Sequence, residues 1–110
     1  MGPGLLEKAY QEALEKEFTL QGIPFKREKS FDIVYKGQKL EQTYIADFVC
    51  FEKIIVEIKA VEKILPVHKA QVINYLSITG FQLGFLVNFN DKKIMPERIV
   101  SLKSAGDLYF

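Results

Sequence analysis

The sequence predicts a mixed α/β (α+β) domain in which a central mixed sheet is flanked by helices, in the order helix, three-stranded meander, helix and strand. Apolar residues recur at helical spacing from residue 4 to about residue 20. β-branched and aromatic residues dominate residues 43–60, and apolar and polar residues alternate in residues 25–36, as is typical of strands. A second helical segment at residues 66–79 precedes an almost wholly apolar run at residues 81–89. Such a run suits a buried strand that pairs in parallel after a crossover helix.

The bulk composition favours one domain spanning residues 1–110. A length of 110 residues gives room for a single core, and 48% hydrophobic residues is normal for a globular protein. There is no apolar run of about eighteen residues and no charged-then-apolar leader, so we expect neither a membrane span nor a signal peptide. The single cysteine, Cys50, is expected to be a buried thiol in a reducing, cytoplasmic compartment. The one histidine, His68, is expected at the surface or capping a helix.

The charge of the chain is nearly balanced, with 15 basic and 14 acidic residues and a net charge of +1. No global field would recruit a polyanion, so local charge would have to do so. The best candidate is the stretch of residues 26–39, in which Lys26, Arg27 and Lys29 are candidate nucleic-acid contacts. The alternative for these residues is a solvated strand face.

Two apolar runs flank the polar pair Glu52-Lys53 in residues 43–60, which predicts a hairpin. Three ionisable residues interrupt these runs, namely Asp47, Glu57 and Lys59. A strand that only fills a core would carry valine or isoleucine at these places. Because side chains alternate along a strand, Glu57 and Lys59 share one face. The apolar face on the other side is formed by Ile54, Val56 and Ile58. One face is therefore expected to be core, and the other to hold charge.

The turn within this hairpin decides whether Asp47 joins the charged face. Directly opposed residues of an antiparallel pair share a face. A two-residue turn at Glu52-Lys53 would set Asp47 opposite Ile58, on the wrong face. An odd-length loop or one bulge would set Asp47 opposite Glu57 or Lys59 instead. We therefore predict an odd loop or a bulge, and a two-residue turn would count against a shared site.

Glu7 lies on or beside the apolar stripe of the first helix. It precedes Tyr10, Leu14 and Phe18, which follow at i+3, i+7 and i+11, and this stripe should pack against the sheet. Gly22 is placed as the C-terminal stop of the helix. The alternative for Glu7 is a first-turn acid that the helix dipole favours.

The alternation in residues 25–36 predicts a strand with one wet face. The residues expected on its apolar side are Phe25, Phe31, Ile33 and Tyr35. A short edge strand is expected at residues 99–102, and residues 104–110 carry no clear signal.

The hairpin residues resemble the active-site signature of the PD-(D/E)XK nuclease superfamily, Asp-(spacer)-Glu-x-Lys. Asp47 supplies the first position, Glu57 follows ten residues later, and Lys59 stands at Glu plus two. The predicted element order also matches the core of the restriction-endonuclease-like fold, which the resemblance implies for this chain.

Gly4, Glu7 and Tyr10 spell Gly-x-x-Glu-x-x-Tyr, the motif of the GxxExxY family, which is assigned to that superfamily. Further similar segments are Gly-Pro-Gly-Leu-Leu-Glu at the start, Val-Tyr-Lys-Gly at 34–37, Glu-Ile-Lys-Ala-Val at 57–61 and Asn-Phe-Asn at 88–90. The likeness covers nearly the whole chain. Members usually carry a further helical segment ahead of this Gly-Pro-Gly, whereas this sequence starts at it. This departure bears on the expected stability of the first helix.

The resemblance implies Glu7, Asp47, Glu57 and Lys59 as catalytic residues around a Mg²⁺ or Mn²⁺ site. Asp47 and Glu57 would be ligands, the backbone carbonyl of Ile58 could add another, and Glu7 would hold a coordinated water or a second ion. Lys59 would orient the attacking water or neutralise developing negative charge. Without a metal, the crowded carboxylates should raise one another's pKa.

Gln71 and Tyr75 stand at i and i+4 on one face of the second helix. Gln-x-x-x-Tyr after the Glu-x-Lys strand is similar to the extra motif of the nuclease domains in bacterial recombination helicase-nucleases. The resemblance implies that Gln71 and Tyr75 help hold DNA and water at the metal site. The alternative is that Tyr75 packs in the core with Gln71 at its edge.

These features predict a metal-dependent nuclease that hydrolyses phosphodiesters in DNA, with RNA a less favoured substrate. The first alternative is a non-catalytic module that binds nucleic acid or protein and has kept the fold. The second, a structural domain with a chance Glu-x-Lys, is disfavoured because the candidate residues occur together in the order that the fold requires. One active site per chain cuts one strand, so cutting both strands in a single encounter would favour a homodimer.

Overall fold

The computed structural model describes residues 3–101, with side chains from residue 6 onward. Two helices and five strands lie in this part of the chain. They are α1 (Pro3–Gln21), β1 (Phe25–Tyr35), β2 (Gln38–Cys50), β3 (Ile54–Lys59), α2 (Pro66–Thr79), β4 (Leu83–Asn88) and β5 (Glu97–Val100).

The strands form one sheet in the order β1-β2-β3-β4-β5. Neighbours are antiparallel except β3 and β4, which are parallel and connected through α2. The predicted meander, crossover helix and parallel strand are therefore confirmed. The predicted edge strand at 99–102 is present as β5, which ends at Val100. Leu102 and residues 104–110 lie outside the described residues.

The two helices cover opposite faces of the sheet. The stripe predicted for α1 is confirmed, because Tyr10, Leu14 and Phe18 pack on one face. The buried residues of this α1 side are Phe48, Cys50, Val56, Ile58 and Val87. The buried residues of the α2 side are Tyr44, Ala46, Val49, Ile55, Val72, Leu76, Leu86 and Ile99. Each face therefore has its own apolar core, with the sheet between them.

The face presented by β1 changes along its length, so the prediction that Phe25 and Phe31 share one side is wrong. Phe25 packs on the α1 side and Phe31 on the α2 side. The residue between the two halves of the strand, Glu28, has a φ of 55°, and the pairing with β2 is interrupted there. A left-handed residue breaks the simple alternation of a strand.

β2 changes face at the same rung of the sheet. Ala46 and Phe48 are two residues apart and would share a face in a regular strand, yet they pack on opposite sides. The register of the flanking pairs places Asp47 opposite Glu28. The irregular rung therefore holds one of the candidate site residues.

β3 is buried on both faces, which corrects the expectation that one face is core and the other holds charge. Val56 and Ile58 pack on the α1 side as predicted. Ile55 points to the α2 side and is 0% exposed, and Glu57, on that same side, is only 8% exposed. Because α2 covers this face, the carboxyl group of Glu57 lies inside the protein rather than at its surface.

The predicted ends of the second helix are confirmed. Gly80 follows α2 with a φ of 78°, and its N–H donates to the carbonyl of Leu76 at 2.9 Å. At the other end, Nδ1 of His68 accepts a hydrogen bond from the N–H of Leu65 at 2.8 Å, so His68 has the capping role expected for it. Within residues 3–101, neither helix has the length and apolar character needed to span a bilayer.

Candidate active site

The turn between β2 and β3 has three residues, so the predicted odd loop is confirmed. Cys50 pairs with Ile54, which leaves Phe51, Glu52 and Lys53 in the turn. Phe51 and Glu52 adopt left-handed backbone angles, with φ values of 54° and 59°. Continued along the strands, this register sets residue 47 opposite residue 57.

Asp47 lies where the pairing of β2 with β3 ends. The paired residues run from Cys50 and Ile54 to Phe48 and Val56. Beyond this point, the N–H of Ile58 donates to Oδ2 of Asp47 at 2.8 Å. A carboxylate oxygen thus takes the place of a backbone acceptor, which fixes the carboxylate between the two strands.

Glu57 is a buried carboxyl beside Asp47. The hydroxyl of Tyr44 donates a hydrogen bond to its Oε1. Burial, and secondly the neighbouring charge of Asp47, raise the pKa of Glu57 to about 8. The predicted upward shift is therefore confirmed for Glu57. In the absence of a cation this carboxyl holds a proton at neutral pH, and a bound cation would favour its ionised form.

Tyr75 of α2 reaches the site through Tyr44. The two rings stack with centroids 4.0 Å apart and an interplanar angle of 14°. Burial, followed by the charges of Glu57 and Asp47, raises the pKa of Tyr75. Gln71, one turn earlier, is exposed. Tyr75 thus packs on Tyr44, and Gln71 faces solvent one turn earlier on the same helix.

Tyr44 is a site residue that the sequence analysis missed. It lies three residues before Asp47, so regular alternation would put the two side chains on opposite faces. The irregular rung at Asp47 removes this separation. No glycine or proline marks that rung in the sequence, so the pattern carries no signal for it.

A cleft of about 140 Å³ opens on the α1 side of Asp47. It is lined by Glu7, Lys8, Gln11, Asp47 and Ile58. Glu7 therefore lies near Asp47, in the position that its place on the helical stripe suggested. Gln11, one turn after Glu7, is 3% exposed, and its Nε2 donates to the backbone carbonyl of Asp47 at 3.4 Å. The sequence analysis missed Gln11, although its i+4 spacing from Glu7 places it on the same helix face.

Arg27 is held against α1. Its guanidinium donates to Oε2 of Glu15 at 2.7 Å and to Oε1 of Gln11 at 3.3 Å. The hydrogen bond that Arg27 donates to Glu15 is the main cause that raises the pKa of Arg27. Lys26 and Lys29, the other candidate contacts of this strand, are exposed. Arg27 thus supports the residue that holds Asp47, whereas the two lysines face solvent.

Lys59 ends β3 on the same side as Glu57, opposite Asn88 of β4. Its carbonyl accepts a hydrogen bond from the N–H of Phe89 at 2.9 Å. The buried amide of Asn88 then holds the chain that leaves Lys59, since its Nδ2 donates to the carbonyl of Val61 at 2.8 Å and its Oδ1 accepts from the N–H of Val61 at 3.0 Å. Asn88 thereby fixes the backbone directly after Lys59.

Replacing Asn88 with alanine should destabilise the protein by about 2–3 kcal/mol, because two backbone groups of Val61 lose their partners. Urea unfolding measures this change. Asn90→Ala, an exposed position two residues later, is the matched control and should change the free energy of unfolding by less than about 0.5 kcal/mol. Equal losses in the two variants would contradict the assigned role of Asn88.

The donor set at Asp47 and Glu57 fits a small, hard cation. Among the side chains of residues 6–101, no three His, Cys, Asp or Glu residues are grouped closely enough to hold a metal ion. Mg²⁺ is commonly bound through one or two carboxylates and keeps its other positions for water and a phosphate. Two adjacent carboxyls, one of them carrying a raised pKa, match that kind of site.

Comparisons with known proteins address the fold and the family. No curated protein matches the chain. The crystal structure of SSO0001 is similar, with a TM-score of 0.71 and 24% sequence identity over 94% of this chain. The chain spans 52% of the length of that protein, and the similarity shows a shared fold. A family model described as the PD-(D/E)XK nuclease superfamily matches residues 1–100. The mixed sheet and its two helices agree with a restriction-endonuclease-like fold, and the chain belongs to the PD-(D/E)XK nuclease superfamily.

Proposed function

We propose that this chain is a nuclease that depends on a divalent cation and hydrolyses phosphodiester bonds in DNA. The observation that carries the proposal is the pairing of Asp47 with the buried Glu57 where β2 and β3 separate. Within the superfamily, the Gly-x-x-Glu-x-x-Tyr motif of α1 supports assignment to the GxxExxY family. RNA is the less favoured substrate.

Asp47 and Glu57 would hold Mg²⁺ or Mn²⁺, with the carbonyl of Ile58 as a further ligand. When bound, the cation supplies charge that stabilises the scissile phosphate and lowers the pKa of water. The N–H of Ile58 keeps Asp47 in place, because it binds one of its two carboxylate oxygens. Glu57 would have to be ionised to serve as a ligand, and the hydrogen bond that the Tyr44 hydroxyl donates orients its carboxyl group.

Lys59 and Glu7 would act on the two sides of this pair. Lys59 shares the side of Glu57 and is proposed to orient the attacking water or to neutralise negative charge that develops on the phosphate. Glu7 approaches from α1 and shares the cleft beside Asp47, where it is proposed to hold a water molecule or a second ion. The proposed DNA contacts are Gln71, Tyr75, Lys26 and Lys29. Arg27 is proposed to act indirectly, because it positions Gln11, which bonds the backbone of Asp47.

The test is cleavage of supercoiled plasmid and of a branched oligonucleotide by the purified protein, in Mn²⁺ and in EDTA. We expect nicking in Mn²⁺ that EDTA abolishes. Binding of the oligonucleotide without cleavage in Mn²⁺ would favour the alternative of a non-catalytic nucleic-acid-binding module. If the protein neither cleaves nor binds the DNA, the proposal is overturned, and a protein-interaction module remains as the alternative.

Addition of Mn²⁺ or Mg²⁺ should raise the melting temperature of the protein by several degrees. An ion at about 100 times its dissociation constant adds about 2.7 kcal/mol to the free energy of unfolding. The rise should be larger at pH 8 than at pH 6, because binding must displace the proton of Glu57. Differential scanning fluorimetry measures it. Asp32→Asn, at an exposed carboxylate of β1, should keep the full rise, and Asp47→Asn should lose it.

A homodimer is the proposed assembly for cutting both strands, and light scattering coupled to size exclusion measures the mass directly. The buried free thiol of Cys50 suits a reducing compartment, and the cytoplasm is the proposed location.

A further inference from the structure

An exposed ion pair joins α1 to β1 beside the proposed active site. Nζ of Lys8 lies 2.6 Å from Oε1 of Glu28, and the two side chains are 65% and 46% exposed. Lys8 is also one of the residues that line the cleft next to Asp47. One member of the pair therefore lines the same cleft as the proposed catalytic carboxylate.

The backbone at Glu28 is unusual for a residue of this type. Its φ of 55° lies in the left-handed region, which a residue with a side chain seldom adopts. It occupies the rung of β1 opposite Asp47, where the regular pairing of β1 with β2 is interrupted. Strained residues of this kind concentrate at functional sites. The residue that pairs with Lys8 therefore lies on the backbone rung of Asp47.

The cleft is lined by more acidic than basic side chains. Of the five described residues around it, Glu7 and Asp47 are acidic and Lys8 alone is basic. A nucleic-acid backbone that approaches Asp47 would meet negative charge unless a cation accompanied it. An exposed ion pair contributes little to stability and is screened by salt, so Lys8 can exchange Glu28 for another anion at small cost.

We propose that Lys8 binds a backbone phosphate of the nucleic acid at the mouth of this cleft, and that Glu28 competes with that phosphate for the Lys8 ammonium. The inference rests on the proposed function and extends it, since it names a binding residue on α1 and an internal competitor. Glu28 occupies Lys8 in the free protein and releases it when a polyanion arrives.

The test compares two variants that break the same ion pair from opposite sides, Lys8→Gln and Glu28→Gln. Fluorescence anisotropy measures binding of a labelled twenty-nucleotide single-stranded DNA at several salt concentrations, with Ca²⁺ present so that a cation is available to the carboxylates. Lys8→Gln should weaken binding about 3- to 10-fold at low salt and reduce the slope of log affinity against log salt by about 0.7. Glu28→Gln should strengthen binding about 2- to 5-fold, because the competitor is gone.

Two controls separate binding from structure. Lys16→Gln removes an exposed lysine two turns farther along α1 and should change affinity less than Lys8→Gln does. Thermal melting should give similar, small changes for Lys8→Gln and Glu28→Gln, since each loses the same exposed pair.

Shifts of affinity in the same direction for Lys8→Gln and Glu28→Gln would overturn the inference, because a purely structural ion pair predicts that outcome. An unchanged salt slope in Lys8→Gln would overturn it as well. If the parent protein binds no DNA, the proposed function fails and this inference falls with it. If the parent binds DNA and the two variants behave alike, only the inference fails.

Discussion

Replacing Asp47 with asparagine should reduce Mn²⁺-dependent DNA cleavage by about a thousandfold while the fold is retained. The amide oxygen of asparagine can still accept the hydrogen bond from the N–H of Ile58, which in the parent reaches Oδ2 of Asp47 at 2.8 Å. The negative charge that would hold the cation is lost, and removal of one preorganised electrostatic group commonly costs about 10²–10³ in rate. A plasmid-nicking time course measures the rate.

Asp32→Asn is the matched control for this experiment, because it removes an exposed carboxylate that pairs with Lys39 at the surface. It should cleave at the rate of the parent. Activity in Asp47→Asn equal to that of the control would show that the cleavage comes from another site or from a contaminant.

Lys59→Ala should separate metal binding from chemistry at the same site. We expect cleavage to fall about 10²–10³-fold, since Lys59 is proposed to act on the attacking water or on the phosphate. The rise in melting temperature with Mn²⁺ should persist, because Lys59 is not a proposed ligand. Asp47→Asn, by contrast, should lose both the cleavage and the thermal response. Loss of the thermal response in Lys59→Ala would place Lys59 in metal binding instead.

The turn length of the hairpin could be predicted from the chemistry of the proposed site. The composition of residues 43–60 allows a turn of two or three residues at Glu52-Lys53. Only the requirement that Asp47 face Glu57 favours the odd loop, and the structure has the three-residue turn. The spacing of Glu7 from Tyr10, Leu14 and Phe18 was equally informative, because a helix repeats regularly and the stripe fixes which side chains meet the sheet.

The irregular rung at Glu28 and Asp47 could not be predicted from the sequence. Strand alternation assumes regular backbone angles, and a single left-handed residue reverses the face of everything beyond it. For this reason, regular alternation predicts Phe25 on the side of Phe31 and does not identify Tyr44 as the partner of Glu57. Nothing local in the sequence reports the break, since Glu28 is not the glycine that such a position usually carries.

Charge partners also depend on long-range packing. Arg27 stands in a basic stretch, and its neighbours Lys26 and Lys29 are exposed. Its guanidinium nevertheless lies against α1, bonded to Glu15 and Gln11. A count of charges in a segment cannot distinguish a lysine in solvent from an arginine that supports a site through a buried glutamine.

Glu57→Gln should make the metal-free protein more stable at pH 8 while abolishing cleavage. The folded-state pKa of Glu57 is about 8, above its ordinary value of 4.5. Between these two values, the unfolded chain has already released the proton that the folded protein keeps. The unfolded state then binds fewer protons, so the free energy of unfolding falls as the pH rises through this window. The contribution of this one carboxyl to the fall is at most about 4 kcal/mol.

Glutamine at position 57 carries no charge at any of these pH values and can still accept the hydrogen bond from Tyr44. Urea unfolding in EDTA between pH 5 and pH 8 should therefore show a declining stability for the parent and a flatter one for Glu57→Gln. Glu41→Gln, at an exposed position of β2, should follow the parent. Mn²⁺ should reverse the order at pH 8, since only the parent gains the free energy of ion binding. Parallel stability curves for the parent and Glu57→Gln would mean that Glu57 is ionised in the folded protein without a cation. Metal binding would then displace no proton from Glu57, and the assigned protonated state would be wrong.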